Sequence, residues 1–180
     1  MSTPRIPPLE PPYAPAVQAD FDQLMCGAPP LALFRTVARN PRLLQRMVAG
    51  NLLDRGSIPL RSRELMILRT CARCGAEYEW GVHVAVFGAK AQWTEEQRRS
   101  TVHGGPADSC WTREDQLVIR LADALHDTAG VPDALWGELA AKFAPEQILE
   151  LLMLAGLYHG VSYVINGARV QPEPFAPTFP

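Results

Sequence analysis

Between about residue 14 and residue 168, apolar side chains recur at spacings of three and four. No run of alternating β-branched residues bounded by turns interrupts them, which restricts the chain to helices packed on helices. The spacing predicts helices at about 14–25, 31–39, 41–54, 62–73, 76–89, 94–102, 113–127, 132–143 and 145–168, an all-α class arranged as a single-domain bundle. Several starts carry their own signals. Thr94 precedes Glu95 and Glu96, Thr112 precedes Glu114 and Asp115, and Pro132 and Pro145 suit first-turn positions. The last segment is the most apolar, with Ile148, Leu151, Leu152, Leu154, Leu157, Val161 and Val164 on overlapping faces, and is expected through the middle of the bundle or at a subunit interface. The ends of two helices, VAVFGA (84–89) and SYVINGA (162–168), echo one another too briefly to define a repeat.

Proline marks the ends. Six of the 17 prolines fall in the first fifteen residues and four in the last ten, in segments without hydrophobic periodicity. Residues 1–13 and 171–180 therefore read as arms around a domain of 14–170, either lying extended on a neighbouring surface or disordered. With 180 residues, 47% of them hydrophobic and 20% charged, the chain can bury one sizeable core. A net charge of −2 without any basic run gives no footprint for nucleic acid or an anionic membrane. The polar, proline-rich start lacks the apolar stretch of a signal peptide, and no segment reads as a run of about 18 consecutive apolar residues, so a cytoplasmic protein is expected. Cys26, Cys71, Cys74 and Cys110 are too few and too scattered for a disulfide framework, and reduced thiols are expected.

Charge is concentrated where burial is expected. Glu64, Glu79 and His83 stand in RSRELMILRTCARCGAEYEWGVHVAVFGAKA (61–91), on segments that otherwise read as core helix, and burying charge requires a compensating interaction. In one unbroken helix Glu64 and Glu79 would lie about 22 Å apart at 1.5 Å per residue. Gly75 is a candidate C-terminal cap, and a turn at 73–76 would fold the two segments into a hairpin that brings the faces together. Glu79 and His83 then share a face by their i,i+4 spacing, near a helix start. Such a group of carboxylates and an imidazole can exchange a proton with a substrate. Taken singly, each is as well explained as a solvated first-turn carboxylate or a surface pair, with Arg61 or Arg63 as partner to Glu64.

The stretch resembles the signature of the carboxymuconolactone decarboxylase superfamily, which includes the alkylhydroperoxidase D-type disulfide reductases. In the redox branch a Glu precedes a C-x-x-C-x-x-x-H segment. Counted from Glu64, the two cysteine positions are Ala76 and Glu79, and the histidine falls on His83. The sequence AEYEWGVH is more similar to the decarboxylase-like branch, where an acidic and aromatic run precedes the histidine. The general pattern extends over about residues 30–170. The resemblance implies an alkylhydroperoxidase D-like helical fold, a trimer or hexamer, and cofactor-free proton transfer on a small carboxylated lactone or carbonyl substrate. His83 would be the acid/base, Glu79 its charge partner and Glu64 the positioning carboxylate. An alkylhydroperoxidase-type thiol peroxidase or disulfide reductase, and a non-catalytic member of the fold, are the alternatives.

The sequence does contain a CxxC, Cys71 to Cys74, but the redox spacing around it would require His and Glu where Tyr78 and Pro59 stand. Two small apolar thiols on an inner helix face are the plain reading. A reactive dithiol is an alternative, and so is a zinc site of Cys71, Cys74 and His83, which lacks a fourth ligand. No metal, nucleotide or other cofactor is signalled: there is neither a P-loop nor a GxGxxG. Tyr78 is a candidate pocket wall and His159, in LYHGVSY, a candidate binding residue. Glu77 is expected in solvent, Trp80 in packing, and His103 and His126 in structural roles.

Overall fold

The computed structural model describes residues 3–180, and the first two residues of the proline-rich start lie outside it. Among the described residues there are nine helices and no strand. They are α1 (Pro15–Met25), α2 (Ala32–Val37), α3 (Pro41–Ala49), α4 (Leu60–Arg73), α5 (Glu77–Phe87), α6 (Glu95–His103), α7 (Arg113–Thr128), α8 (Asp133–Ala140) and α9 (Pro145–Ala168). Thr94 and Thr112 each close a capping box, with Gln97 and Asp115 respectively, and Pro145 occupies the first turn of α9. The third helix stops at Ala49 rather than near residue 54. Gly50 caps it, and the Asn51 side chain takes the Leu53 N–H at 3.0 Å, turning the chain into the loop before α4.

Helix α4 is the hub, packed on α5, α6, α7 and α9. It is rich in charge yet buried from Ser62 to Cys71, because each charge meets a fixed partner. Arg69 forms a fork on Asp123 of α7 at 2.7 and 3.0 Å and donates to the Thr101 and Gly104 carbonyls of α6. Arg61 forks onto Asp115 at 3.0 Å through both nitrogens. These bidentate pairs set the register of α4 against α7 more tightly than apolar packing alone.

Two apolar cores flank α5 and α9. One joins α4, α7 and α8 around Leu65, Leu68, Ile119 and Leu151; the other joins α1, α2 and α3 around Phe21, Leu33, Leu44 and Val82. Helix α9 is long and apolar enough to cross a bilayer, with mean hydropathy 1.6 over its most apolar stretch. Here its inward stripe, from Ile148 through Tyr158 to Ile165, is buried against the bundle, while Leu149, Met153 and Tyr163 are exposed.

Both arms lie on their own chain. The Arg5 N–H bonds the Ala168 carbonyl, the Leu9 N–H donates to the Arg35 carbonyl while the Arg35 guanidinium donates back to the Leu9 carbonyl, and Arg39 reaches the Pro7 carbonyl. The C-terminal segment returns past α5, where Phe179 meets Trp80 edge-on at 5.5 Å. Its path requires glycine at position 81, since a Cβ there would stand 2.2 Å from the Pro177 carbonyl oxygen.

Candidate active site

Helix α4 ends at Cys74, and Gly75, at φ +64°, reverses the chain so that the Ala76 N–H bonds back to the Cys71 carbonyl at 2.8 Å. Helix α5 starts two residues later and runs back along α4. The hairpin places His83 beside Glu64, and a proton-bearing Nδ1 donates to Glu64 Oε2 at 2.7 Å. Glu64 is fully buried and His83 nearly so. The other oxygen of Glu64 accepts the Arg63 guanidinium at 2.8 and 2.9 Å, and Arg63 also donates to the Leu53 carbonyl at 2.7 Å. On the far side of the ring, Nε2 lies 3.0 Å from the Tyr158 hydroxyl and 3.6 Å from Glu79 Oε1. Phe87 stacks on the imidazole at 5.3 Å and receives the Arg63 cation on its ring at 5.0 Å.

The chain of groups Arg63, Glu64, His83, Glu79 is neutral when all four are ionised, which makes its burial tolerable. Burial alone would push the imidazole toward its neutral form. Hydrogen bonding and charge from Glu64 and Glu79 outweigh it and hold the His83 pKa up at about 9. At neutral pH His83 is an imidazolium donating through both nitrogens, to Glu64 and to Tyr158. The Tyr158 phenol is pushed up by burial and by the Glu79 and Glu64 charges, and remains a neutral hydroxyl. Glu79 is different. Its Oε2 is buried without a hydrogen-bond partner.

A cavity of about 180 Å³ opens onto Glu79, His83 and Tyr158. Its remaining wall is almost wholly apolar, including Leu31, Phe34, Met47, Leu53, Phe87 and Leu157, and its only other polar side chain is Asn51. Glu64 stands behind the histidine, outside the wall. No cysteine lines the cavity. Cys71 is fully buried and its thiol is pushed well up by burial and by the Glu79 charge; the Cys74 thiol, also raised by burial, lies toward a different surface. The Ser162 hydroxyl, which donates to the Tyr158 carbonyl at 2.7 Å, lies beside both thiols, with Cys71 in the core and Cys74 half-buried next to the hairpin turn.

Of the five residues singled out in the sequence, Glu64, Glu79 and His83 converge, whereas Tyr78 and His159 do not join them. The Tyr78 hydroxyl accepts the Leu33 N–H at 3.1 Å and donates to Glu173 at 2.7 Å, tying α2 and the C-terminal arm to α5. His159 points to the opposite side of α9, stacked on His126. Tyr158 is the residue that the sequence reading lacks, and Arg63 stands in it only as one of two possible partners of Glu64. Tyr158 belongs to the inward stripe Leu151, Leu154, Ala155, Tyr158, Val161, Ser162, and that three- and four-residue rhythm separates it from its neighbour His159. Arg61, the other candidate partner of Glu64, is engaged by Asp115.

No protein-family model matches the sequence, and no curated protein matches it. Solved structures do. An uncharacterized peroxidase-related protein from Silicibacter sp. TM1040 superposes over 97% of this chain and 96% of its own, with TM-score 0.78 at 15% identity. The debrominase Bmp8, as a cysteine-to-alanine variant in complex with 2,3,4-tribromopyrrole, covers 97% and 94% with TM-score 0.73 at 16% identity. A protein of unknown function from Agrobacterium tumefaciens, proposed to be the antioxidant defence protein AhpD, covers 78% and 90% with TM-score 0.61 at 20% identity. The all-helical bundle around the α4 and α5 hairpin has the fold of these structures, the alkylhydroperoxidase D-like all-helical fold.

Proposed function

We propose that the protein is an enzyme of proton transfer, acting on a small, largely apolar carbonyl or lactone compound at the cavity bounded by Glu79, His83 and Tyr158. The observation that carries this reading is the unpartnered, buried Oε2 of Glu79 beside an imidazolium. A carboxylate oxygen with no donor on it has its lone pairs free to accept a proton. It can take a proton from a carbon next to a carbonyl, while the carbonyl oxygen, gaining the electron pair, is stabilised by His83 Nε2–H and the Tyr158 hydroxyl. Return of that proton to a different carbon shifts a double bond. In the decarboxylative version the carboxylate leaves as carbon dioxide, its bonding pair moves to the carbonyl oxygen, and the carbon is then protonated by His83. Glu64 and Arg63 fix the ring and its charge, and act through His83. An apolar cavity of about 150 Å³ takes a benzene ring, so about 180 Å³ suits a single small ring with few substituents. The debrominase with its bromopyrrole shows one such ring bound in this fold.

The test uses a panel of five- and six-membered lactones and cyclic enones in deuterated buffer, with carbon-bound deuterium read by NMR. Glu79→Gln and His83→Gln are each expected to slow exchange about 10²- to 10⁴-fold. Cys71→Ser with Cys74→Ser should leave it within a few-fold of the parent. Exchange indifferent to Glu79 would refute the assignment.

Thiol chemistry is a second reading, favoured by the CxxC spacing of Cys71 and Cys74 at the end of α4 and by the peroxidase-related neighbour. Hydroperoxide consumption with a dithiol reductant, abolished by blocking the thiols, would replace the first reading with this one. The homo-oligomer, a trimer or hexamer, stays part of the proposal on the exposed Leu149, Met153 and Tyr163 of α9. Light scattering is expected to give a multiple of 19.8 kDa; a monomer at micromolar concentration would remove it.

A further inference from the structure

A second constellation lies on the opposite side of α9 from the cavity. Cys74 at the end of α4, His126 near the end of α7 and His159 in the middle of α9 bring one ligand atom each to within 4.8 Å of one another. The Cys74 Sγ and His126 Nδ1 are 3.8 Å apart. The two imidazoles are nearly parallel, 22° between planes at 5.4 Å, and Tyr163 packs edge-on to His159 at 4.9 Å. None of the three is exposed on the bulk surface, and all line a groove of about 890 Å³ together with Leu125, Leu152 and Tyr163.

Three helices distant in sequence converge here on one soft and two borderline ligands. In a tetrahedral zinc site, bond lengths of about 2.3 Å to sulfur and about 2.0 Å to nitrogen separate the ligand atoms by about 3.3–3.5 Å. The observed Sγ to Nδ1 separation is already near that value, and rotation of half-buried side chains supplies the remainder. The backbone is held independently: Asn166 donates to the Cys74 carbonyl at 2.8 Å, fixing the helix end that carries the thiol. The nearby Arg73 cation is engaged by Asp123 and Asp127, so its repulsion of a metal ion is offset.

We propose that Cys74, His126 and His159 bind a zinc(II)-class cation, with the fourth coordination position turned to the groove. On binding, the Cys74 S–H bond breaks heterolytically, its electron pair becomes the sulfur–metal bond, and the proton passes to solvent. No electron is transferred. The site shares no residue with the proton-transfer cavity, and it differs from the zinc set of Cys71, Cys74 and His83 considered from spacing alone, since Cys71 and His83 are committed elsewhere.

Cobalt(II) is the probe, added to the full-length protein under reducing conditions. The expected result is one cobalt per chain, a thiolate-to-cobalt charge-transfer band in the near ultraviolet, four-coordinate d–d bands in the visible, and loss of both on adding zinc. Cys74→Ser should remove the thiolate band. His126→Ala and His159→Ala should each weaken cobalt binding at least about a hundredfold, more than the loss of an outer-shell partner. Cys26→Ser, at an exposed thiol, should change nothing. His159→Ala lies at a half-buried position and serves if the Cys74 variant loses its helical circular dichroism. A thiolate band that persists in Cys74→Ser, or cobalt affinity unchanged in His159→Ala, would overturn the site.

Discussion

Glu64→Ala is expected to lower the free energy of unfolding by about 3–5 kcal/mol, the cost of breaking a buried ion pair from one side. The reason is what remains. Arg63 and His83, 8% and 3% exposed, would face an empty volume without the carboxylate that bonds both of them. The imidazole can escape by losing its proton, but a guanidinium cannot. Against a typical stability of about 5–15 kcal/mol the loss should shift a urea midpoint strongly, with little change in slope. Glu64→Gln keeps the shape and one acceptor, and should cost less. Replacing the whole set at once, with Arg63→Met, Glu64→Leu, Glu79→Leu and His83→Leu, should recover much of the loss, since none of the four buried charges then remains. A Glu64→Ala variant within about 1 kcal/mol of the parent would show that the network is not buried as described.

Why the helices were legible and the network was not follows from the range of the interactions. Helix starts at Thr94, Thr112 and Pro145 depend on groups three or four residues away, so their signals are local. The reversal at Gly75 is equally local, and it converts a separation of about 22 Å along one helix into a 2.7 Å contact between two. Partner choice is not local. That Arg61 turns to Asp115 and Arg63 to Glu64 depends on where α7 lies, 54 residues further on. Tyr158 and His159 are adjacent, and only the phase of α9 against the bundle sends the first to His83 and the second to His126. The arms were the least legible, because a proline-rich segment without periodicity carries no sign of the surface it follows. Their anchors are scattered: guanidinium bonds from Arg35 and Arg39 to the Leu9 and Pro7 carbonyls at one end, and at the other the Glu173 carboxylate, which accepts both the Ala32 N–H and the Tyr78 hydroxyl.

The charge state of His83 gives the second large effect. A histidine whose folded pKa is raised from 6.5 to about 9 binds its proton more tightly in the folded state. The resulting stabilisation is full below about pH 6.5, declines as pH rises, and is gone above about pH 9. Its size is on the order of 3 kcal/mol, from about 1.4 kcal/mol per pKa unit. Urea unfolding at pH 6, 7.5 and 9 should record this decline, and His83→Gln should flatten it. The lower part of the window belongs chiefly to this residue. His126, whose pKa is lowered by burial and by Arg73, titrates below it, and the raised thiols of Cys71 and Cys74 ionise above it. Nitrogen-15 shifts of the His83 ring supply the direct reading: both nitrogens protonated at pH 7, with an inflection near 9. A neutral imidazole at pH 7 would leave Tyr158 donating to Nε2 and no acid facing the cavity. The division of labour between Glu79 as base and His83 as acid would then fail. With the imidazolium in place, exchange catalysed by the parent protein should decline above about pH 9, as the donor that stabilises the enolate oxygen is lost.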